Sequence, residues 1–552
     1  MLFHAFVSFP SGSKRRFENA LRLCCALAFT LIAVYPLRAQ MTSCPSRPPI
    51  GSIVGDPFVL KSMDGNLTVN LNMLSYLDEN GDQEYCYAYS QGVEAPLLEL
   101  NPGDNLVINL KNSITPAMDT MPGMSSRSQP GNPCSGGGTM TSSSTNIHFH
   151  GMNIPPTCHQ DDVIKTSIQP GDPVFQYRIR IPSNDPPGLY WYHPHPHGFT
   201  ASQVLGGAAG PLVIGGIEGL APEAGGLPER VLVIRQASVL PPPGPGSRRR
   251  AGIPPTDNDN TPLSINFVPS PPKSKSPRIL IKPSEKQLWR VVNATSIYFL
   301  ALQVQVSAEV QPVRVLAIDG IPTPTSTTVE TVVIPPAGRA EFIMQGPPEG
   351  VVAQLVNLGY DTGPGGDLNA GSVVAQIVSR SDAPEPSSYV PLAATRSELH
   401  RFADLAAQKP SVHRKLYFSE KLAEDGSTQF FITVDGQTPR LYDPNEPPAI
   451  ITNQGAVEDW TIENRSPEVH AFHIHQIHFV MVAENGKPTN DPTLRDTVVV
   501  PYWNGVGKRY PSVTLRMDFR DPQTTGTFLY HCHILDHEDG GMMAKIQVNP
   551  RK

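Results

Sequence analysis

One twelve-residue pattern occurs three times in this 552-residue chain and restricts its fold more than any other feature. NPGDNLVINLKN runs from Asn101 to Asn112, KPSEKQLWRVVN from Lys282 to Asn293, and NQGAVEDWTIEN from Asn453 to Asn464. Each copy is a turn, then alternating apolar residues, then Asn. The alternation of Leu106, Ile108 and Leu110 places side chains on one face of a half-buried strand. The copies begin 181 and 171 residues apart. That spacing implies three similar β-sandwich domains of roughly 170 residues each, a size one core can hold. Abundant Gly (45) and Pro (59) between short apolar runs, with only 17% charged residues, agree with an all-β chain.

The first domain is expected over 41–219, ending after GPLVIGGIEG, with APEAGGLPER as a linker. The second is expected over 228–381, followed by the linker SDAPEPSSYVPLAA, and the third over 400–552. PPPGPGSRRRAGIPPTDNDN, residues 241–260, reads as a surface loop whose Arg248-Arg249-Arg250 run is a solvated face. Residues 1–40 read as an export signal. Lys14, Arg15 and Arg16 precede an apolar run from Leu23 to Leu37, with cleavage near Ala39. That run is shorter than the about 20 residues a membrane-spanning helix needs. Ser13-Lys14-Arg15-Arg16-Phe17 resembles a twin-arginine signal with Lys in place of the first Arg, and the general secretory route fits equally. No later run is apolar enough to span a bilayer. The mature chain is therefore expected in the periplasm or outside the cell, without a stable membrane span. A net charge of −7 argues against a nucleic-acid partner, which would need a basic face.

Cys24 and Cys25 fall in the export signal. Cys44, Cys86, Cys134 and Cys158 remain as an even set for an oxidising compartment, and sequence leaves three pairings open. Cys134 with Cys158 is preferred, since that pair would brace the segment carrying His148-Phe149-His150-Gly151. None of the 16 histidines lies between His197 and His400, so the middle domain has no His and no Cys. The chemistry must lie in the first and third domains, where they meet.

Four clusters carry it: His148-Phe149-His150, His193-Pro194-His195-Pro196-His197, His470-Ala471-Phe472-His473-Ile474-His475, and HCHILDHEDGGMM from His531 to Met543. On a strand, i and i+2 share a face, so each His-x-His pair presents two imidazoles side by side. Neutral imidazole suits copper, iron, zinc and nickel. On the last strand His531 and His533 face one way and Cys532 the other. A thiolate, two imidazoles and a weak axial thioether are the ligand set of a blue-copper electron-transfer site. Cys532, His537, His470 and Met542 can supply it. A hydrolytic Cys532 lacks a partner pattern, and a structural zinc site would not use so many ligands.

These four motifs together resemble the three-domain multicopper oxidases, the laccase and copper-efflux oxidase family of bacterial type. The resemblance covers the whole mature chain. It implies three cupredoxin-like Greek-key domains and four copper ions, held by the first and third domains. A type 1 copper would take His470, Cys532, His537 and axial Met542. A type 2 copper would take His148 and His473. A type 3 pair would take His150, His193, His195, His475, His531 and His533. The implied reaction couples one-electron oxidation of a donor to four-electron reduction of O2 to water. Glu538 matches an acidic position beside the last type 1 histidine. Asp161 or Asp162 resembles the acid that follows the first motif. These three are the candidates for proton delivery. His159, His197 and His478 match no family role. The three-domain form is expected to be a monomer.

The donor is less constrained. An axial Met generally gives a lower-potential blue-copper site, which excludes neither phenols nor metal ions. Met118, Met121, Met124 and Met140 lie in a Gly/Ser-rich segment before the first motif. Thioethers select Cu(I), and methionine-rich segments serve that purpose in copper-efflux relatives, although in the third domain; here the segment reads first as an ordinary flexible insertion and second as a Cu(I)-binding loop. A laccase-like oxidase of phenols and aromatic amines is the leading expectation. A cuprous oxidase for periplasmic copper tolerance is the alternative. A copper-binding or cell-envelope structural protein is the reading from another class, and the complete ligand set argues against it.

Overall fold

The computed structural model describes residues 43–551, apart from 79–80, 82, 116–131, 136–139, 237–261, 272–273, 387–400, 403, 425 and 508. The export-signal reading, the 241–260 loop, much of the second linker, and Met118, Met121 and Met124 fall outside the described residues. Within them the regular structure is nearly all strand. The strands form six sheets that group, in sequence order, into three pairs. Residues 59–214 build two five-stranded sheets, residues 229–379 a seven- and a six-stranded sheet, and residues 412–549 a seven- and a five-stranded sheet. Each pair encloses its own apolar core, centred on residues such as Ile108 and Tyr177, Trp289 and Phe342, and Trp460 and Phe472. These are three cupredoxin-like β-sandwiches. Among the described residues no helix is long and apolar enough to cross a membrane.

The repeated pattern forms the equivalent strand in each unit: Asn105–Ser113, Lys286–Asn293 and Val457–Asn464. Each lies parallel to one neighbour and antiparallel to the other. The closing Asn explains why the pattern ends as it does. Asn112, Asn293 and Asn464 are all buried. Each accepts, through Oδ1, the backbone N–H two residues on, from Ile114, Thr295 and Ser466 at 2.9, 3.1 and 2.9 Å. Each Nδ2 also donates to two backbone carbonyls. A short amide side chain competes well for such backbone groups at a strand exit. The first copy alternates in burial as expected, but the second is buried along almost its whole length. Its outer face is covered by the first unit, through Trp191 against Val292 and Ile217 against Leu288.

Cys134 pairs with Cys158, and Cys44 with Cys86, tying the N-terminal segment to the strand Gln83–Tyr89. The first and third units also meet through two short helices. Thr200 and Ala201, at the start of the helix Thr200–Leu205, donate backbone N–H groups to the Asp539 carboxylate at 3.1 and 2.8 Å. Asp539 ends the helix Leu535–Asp539, which carries His537 and Glu538.

Candidate metal centre

Strand register sorts the third-unit ligand candidates onto two faces. In the antiparallel pairing of His470–Ile474 with Gly526–Cys532, Phe472 lies opposite Cys532 and His473 opposite His531. Cross-strand partners share a face. His470, two residues from Phe472, therefore joins Cys532, while His473 joins His531. The spacing of three between His470 and His473 is what splits them.

On the first face, Nδ1 of His470 lies 3.6 Å from Cys532 Sγ, and Nδ1 of His537 lies 3.8 Å from it. The two Nδ1 atoms are 3.2 Å apart. All three side chains are buried. Met542, also buried, donates its N–H to the His537 carbonyl at 2.9 Å and accepts from the Cys532 N–H at 3.1 Å. The outer nitrogens have their own partners. His470 Nε2 meets Ser466 Oγ at 2.7 Å, with Glu420 Oε1 at 3.5 Å. His537 Nε2 meets Glu468 Oε1 at 2.7 Å, and its ring stacks on Phe430. Such contacts fix which nitrogen a ring turns to a metal. Burial pushes the Cys532 thiol up, but hydrogen bonding and charge from His470 and His537 outweigh it and bring it down to about 6. A thiol so lowered reaches its metal-binding thiolate form easily.

On the other face, eight imidazoles converge: His148, His150, His193 and His195 from the first unit, and His473, His475, His531 and His533 from the third. All are buried. His148 stacks on His475 at 3.8 Å and His150 on His473 at 4.0 Å, each pair bridging the two units. Three groups each bring one nitrogen per ring within 4.8 Å of the others: His148/His150/His473, His150/His193/His533 and His195/His475/His531. Seven of the eight rings carry a buried nitrogen without a hydrogen-bond partner, among them His148 Nε2, His150 Nδ1, His193 Nε2 and His473 Nε2. An unsatisfied buried polar atom costs about 1–3 kcal/mol, so this cluster makes physical sense around shared metal ions. Burial, reinforced by neighbouring rings, holds His148, His150, His473, His475 and His533 well below the usual imidazole range. These rings are neutral, the form that binds a metal. A site of imidazoles with one thiolate fits copper.

Two of the three predicted acids reach the cluster. Asp161 accepts from His148 Nδ1 at 3.0 Å, from the Phe149 N–H at 3.0 Å and from Gln476 Nε2 at 2.5 Å. Glu538 is fully buried, with Oε2 3.1 Å from His531 Nδ1 and Oε1 3.5 Å from His195 Nε2. Asp162 accepts the Lys165 N–H at 3.1 Å, and no described contact joins it to an imidazole of the cluster. Among the histidines without a role, His159 is exposed and stacks on Phe175. His197 donates its N–H to Met140 Sδ at 3.0 Å, so the one described methionine of that segment sits beside the second motif. His478 is buried and donates from Nε2 to the Asp319 carbonyl at 2.9 Å. Ser466, Glu468, Glu420, Gln476 and Asp496 also touch ligand candidates or their partners, and sequence reasoning did not find them. Only Ser466, Glu468 and Gln476 adjoin a motif; the others carry no local pattern.

Known proteins resemble this chain in sequence and in fold. Two family models, both described as multicopper oxidase, match residues 139–218 and 415–552. The multicopper oxidase mco of Staphylococcus haemolyticus is 23% identical over 470 residues, covering 83% of each chain. The multicopper oxidase of Campylobacter jejuni, described as a metallo-oxidase, superposes with a TM-score of 0.64 at 23% identity, over 91% of this chain and 96% of that one. A laccase from Pediococcus acidilactici gives 0.61 at 20% identity, over 91% and 95%.

Proposed function

This chain is a multicopper oxidase, a copper-dependent oxidoreductase with O2 as acceptor, and from that premise we propose how its residues divide the work. His470, Cys532, His537 and Met542 would hold a type 1 copper. His148 and His473 would hold a type 2 copper. His150, His193 and His533 would hold one ion of a type 3 pair and His195, His475 and His531 the other, for four ions in all. The orphaned ring nitrogens of the buried cluster are the observation that carries this reading. When bound, copper supplies one-electron redox chemistry at the first face and four-electron reduction of O2 to water at the second.

The chain's own contribution is arrangement. Cys532 ends its strand between His531 and His533 in the chain, so the two faces are joined by a few covalent bonds. The eight-imidazole cluster is buried, which keeps the donor apart from oxygen. Asp161 holds His148 with its Nδ1 hydrogen on the carboxylate and its Nε2 free. Asp161 and Glu538 are carboxylates in contact with the cluster and can pass protons to it.

The donor we adopt is a phenol or aromatic amine. Its oxidation releases a proton, and Glu468, at the outer nitrogen of His537, is a base placed to accept it. Oxidation of Cu(I) is the second reading. The Glu468 carboxylate at His537 Nε2, with Asp536 next to His537 in sequence, puts negative charge there that would attract a cation. Among the structural neighbours one is described as a laccase and one as a metallo-oxidase. We read the protein as an exported monomer. A purely structural role predicts little bound copper, so copper content separates that reading at once. Oxygen uptake by the copper-loaded mature protein, with a dimethoxyphenol and Cu(I) side by side, tests the donor. Preference for the phenol supports the first reading, preference for Cu(I) the second, and uptake with neither refutes both.

A further inference from the structure

We propose that Arg339, in the middle unit that lacks copper ligands, is a positioning residue for the trinuclear copper centre. It acts by clamping Asp496 against His150 and His473. The proposal rests on the copper assignment above. Arg339 is buried where all three units meet. Its five side-chain N–H groups are all engaged. Nε donates to the Leu189 carbonyl of the first unit at 3.2 Å. Nη1 donates to the Ala337 carbonyl at 3.3 Å and to Asp496 Oδ1 at 2.8 Å. Nη2 donates to the Asp319 carbonyl at 2.9 Å and to Asp496 Oδ2 at 2.6 Å. The Asp496 pair is the two-pronged arginine–carboxylate geometry that fixes a carboxylate in orientation as well as place.

Asp496, through its carboxylate and its backbone carbonyl, sets which ring nitrogens remain free. Asp496 Oδ1 lies 3.2 Å from His150 Nε2, and the Asp496 backbone carbonyl lies 2.9 Å from His473 Nδ1. The opposite atoms, His150 Nδ1 and His473 Nε2, are the ones left without a partner in the cluster. The two rings therefore present different nitrogens, and one clamp accounts for both choices. Asp319 supports it from the other side by accepting the Arg339, Asp496 and Thr497 N–H groups at 2.9, 3.2 and 3.3 Å. The clamp also explains the glycine of the first motif. A Cβ on Gly151 would lie 2.3 Å from Arg339 Nη2 and 2.6 Å from Asp496 Oδ2.

The test is Arg339→Lys, which keeps the charge but cannot form the fork, in the full chain loaded with copper. The readouts are copper per chain and the type 1 and type 2 paramagnetic resonance signals. The blue type 1 site serves as an internal control for folding. The expected result is a type 1 signal at wild-type strength with type 2 occupancy weakened about tenfold or more at equal free copper. Wild-type strength in both signals overturns the proposal. Parallel loss of both from a variant that is still folded also overturns it, by showing no selective effect on the type 2 site. Should Arg339→Lys fail to fold, the double variant Arg339→Met with Asp496→Asn removes both partners of the fork, while Asp319 keeps its three backbone N–H donors. It must show the same selective loss, and wild-type signals in it refute the clamp. A wild-type protein that takes up copper without any type 2 signal would refute the copper assignment itself rather than the clamp.

Discussion

Truncating Asn293 to Ala tests whether the closing residue of the repeated pattern holds its unit together. The side chain is fully buried. Its Nδ2 donates to the Tyr298 and Ile334 carbonyls at 2.7 and 2.9 Å, and its Oδ1 accepts from the Thr295 amide at 3.1 Å. Tyr298 keeps the Thr295 hydroxyl at 3.0 Å. The change therefore strands the Thr295 amide and takes a donor from the Ile334 carbonyl. At 1–3 kcal/mol for each group left short of a partner, the cost is about 2–4 kcal/mol. Hydrogen exchange over the strand Lys286–Asn293 reads this locally, without assuming that a three-unit chain unfolds in one step. Amides that open with this unit should exchange roughly 30- to 900-fold faster. Asn293→Asp keeps the acceptor but turns an oxygen toward two carbonyls, so it should be as damaging. Exchange within about threefold of wild type for either variant would refute the reasoning. Asn112 and Asn464 should behave alike in their own units, since their bonds are the same.

Three further outcomes follow from the proposed copper sites and the buried histidines. Glu468→Gln replaces a charged partner of His537 by a neutral one, roughly halving that hydrogen bond. Loss of negative charge disfavours the oxidised site, so the type 1 potential should rise by about 40 mV, the equivalent of about 1 kcal/mol for one electron. A redox titration of the blue absorption that shows a fall, or no change, counts against the Glu468 contact. Cys532→Ser should abolish the blue absorption and lower copper content by roughly one ion per chain, because only the thiolate face is lost; retained blue colour would place the type 1 site elsewhere. Burial lowers His193 to about 3 and His195 and His478 to about 4 in the copper-free protein. The unfolded chain binds these protons near pH 6.5, so stability is present above that pH and lost as pH falls toward about 4, by up to about 1.4 kcal/mol per pH unit for each imidazole. Denaturant midpoints of the copper-free protein that stay level between neutral pH and about pH 5 would contradict this.

The sequence by itself determined what neighbouring residues can encode. Period-2 alternation made three equivalent strands, and His-x-His spacing made paired imidazoles. The order His531-Cys532-His533 turned a thiolate one way and its two neighbouring imidazoles the other. These follow from backbone geometry over a few residues and need no knowledge of the rest of the chain. Tertiary structure decided everything that depends on which distant surfaces meet. His150 and His193 share a group with His533 only because the first and third units pack together. Asp161 rather than Asp162 reaches His148 because the local turn aims one of two adjacent carboxylates inward. The second repeat strand lost its alternation because the first unit covers its outer face. Arg339 and Asp496 are 157 residues apart and carry no motif, yet they form one buried ion pair at the centre. Local patterns specify faces and spacings, whereas such encounters are set by the packing of whole units, where burial and pairing of a few charges choose the final arrangement.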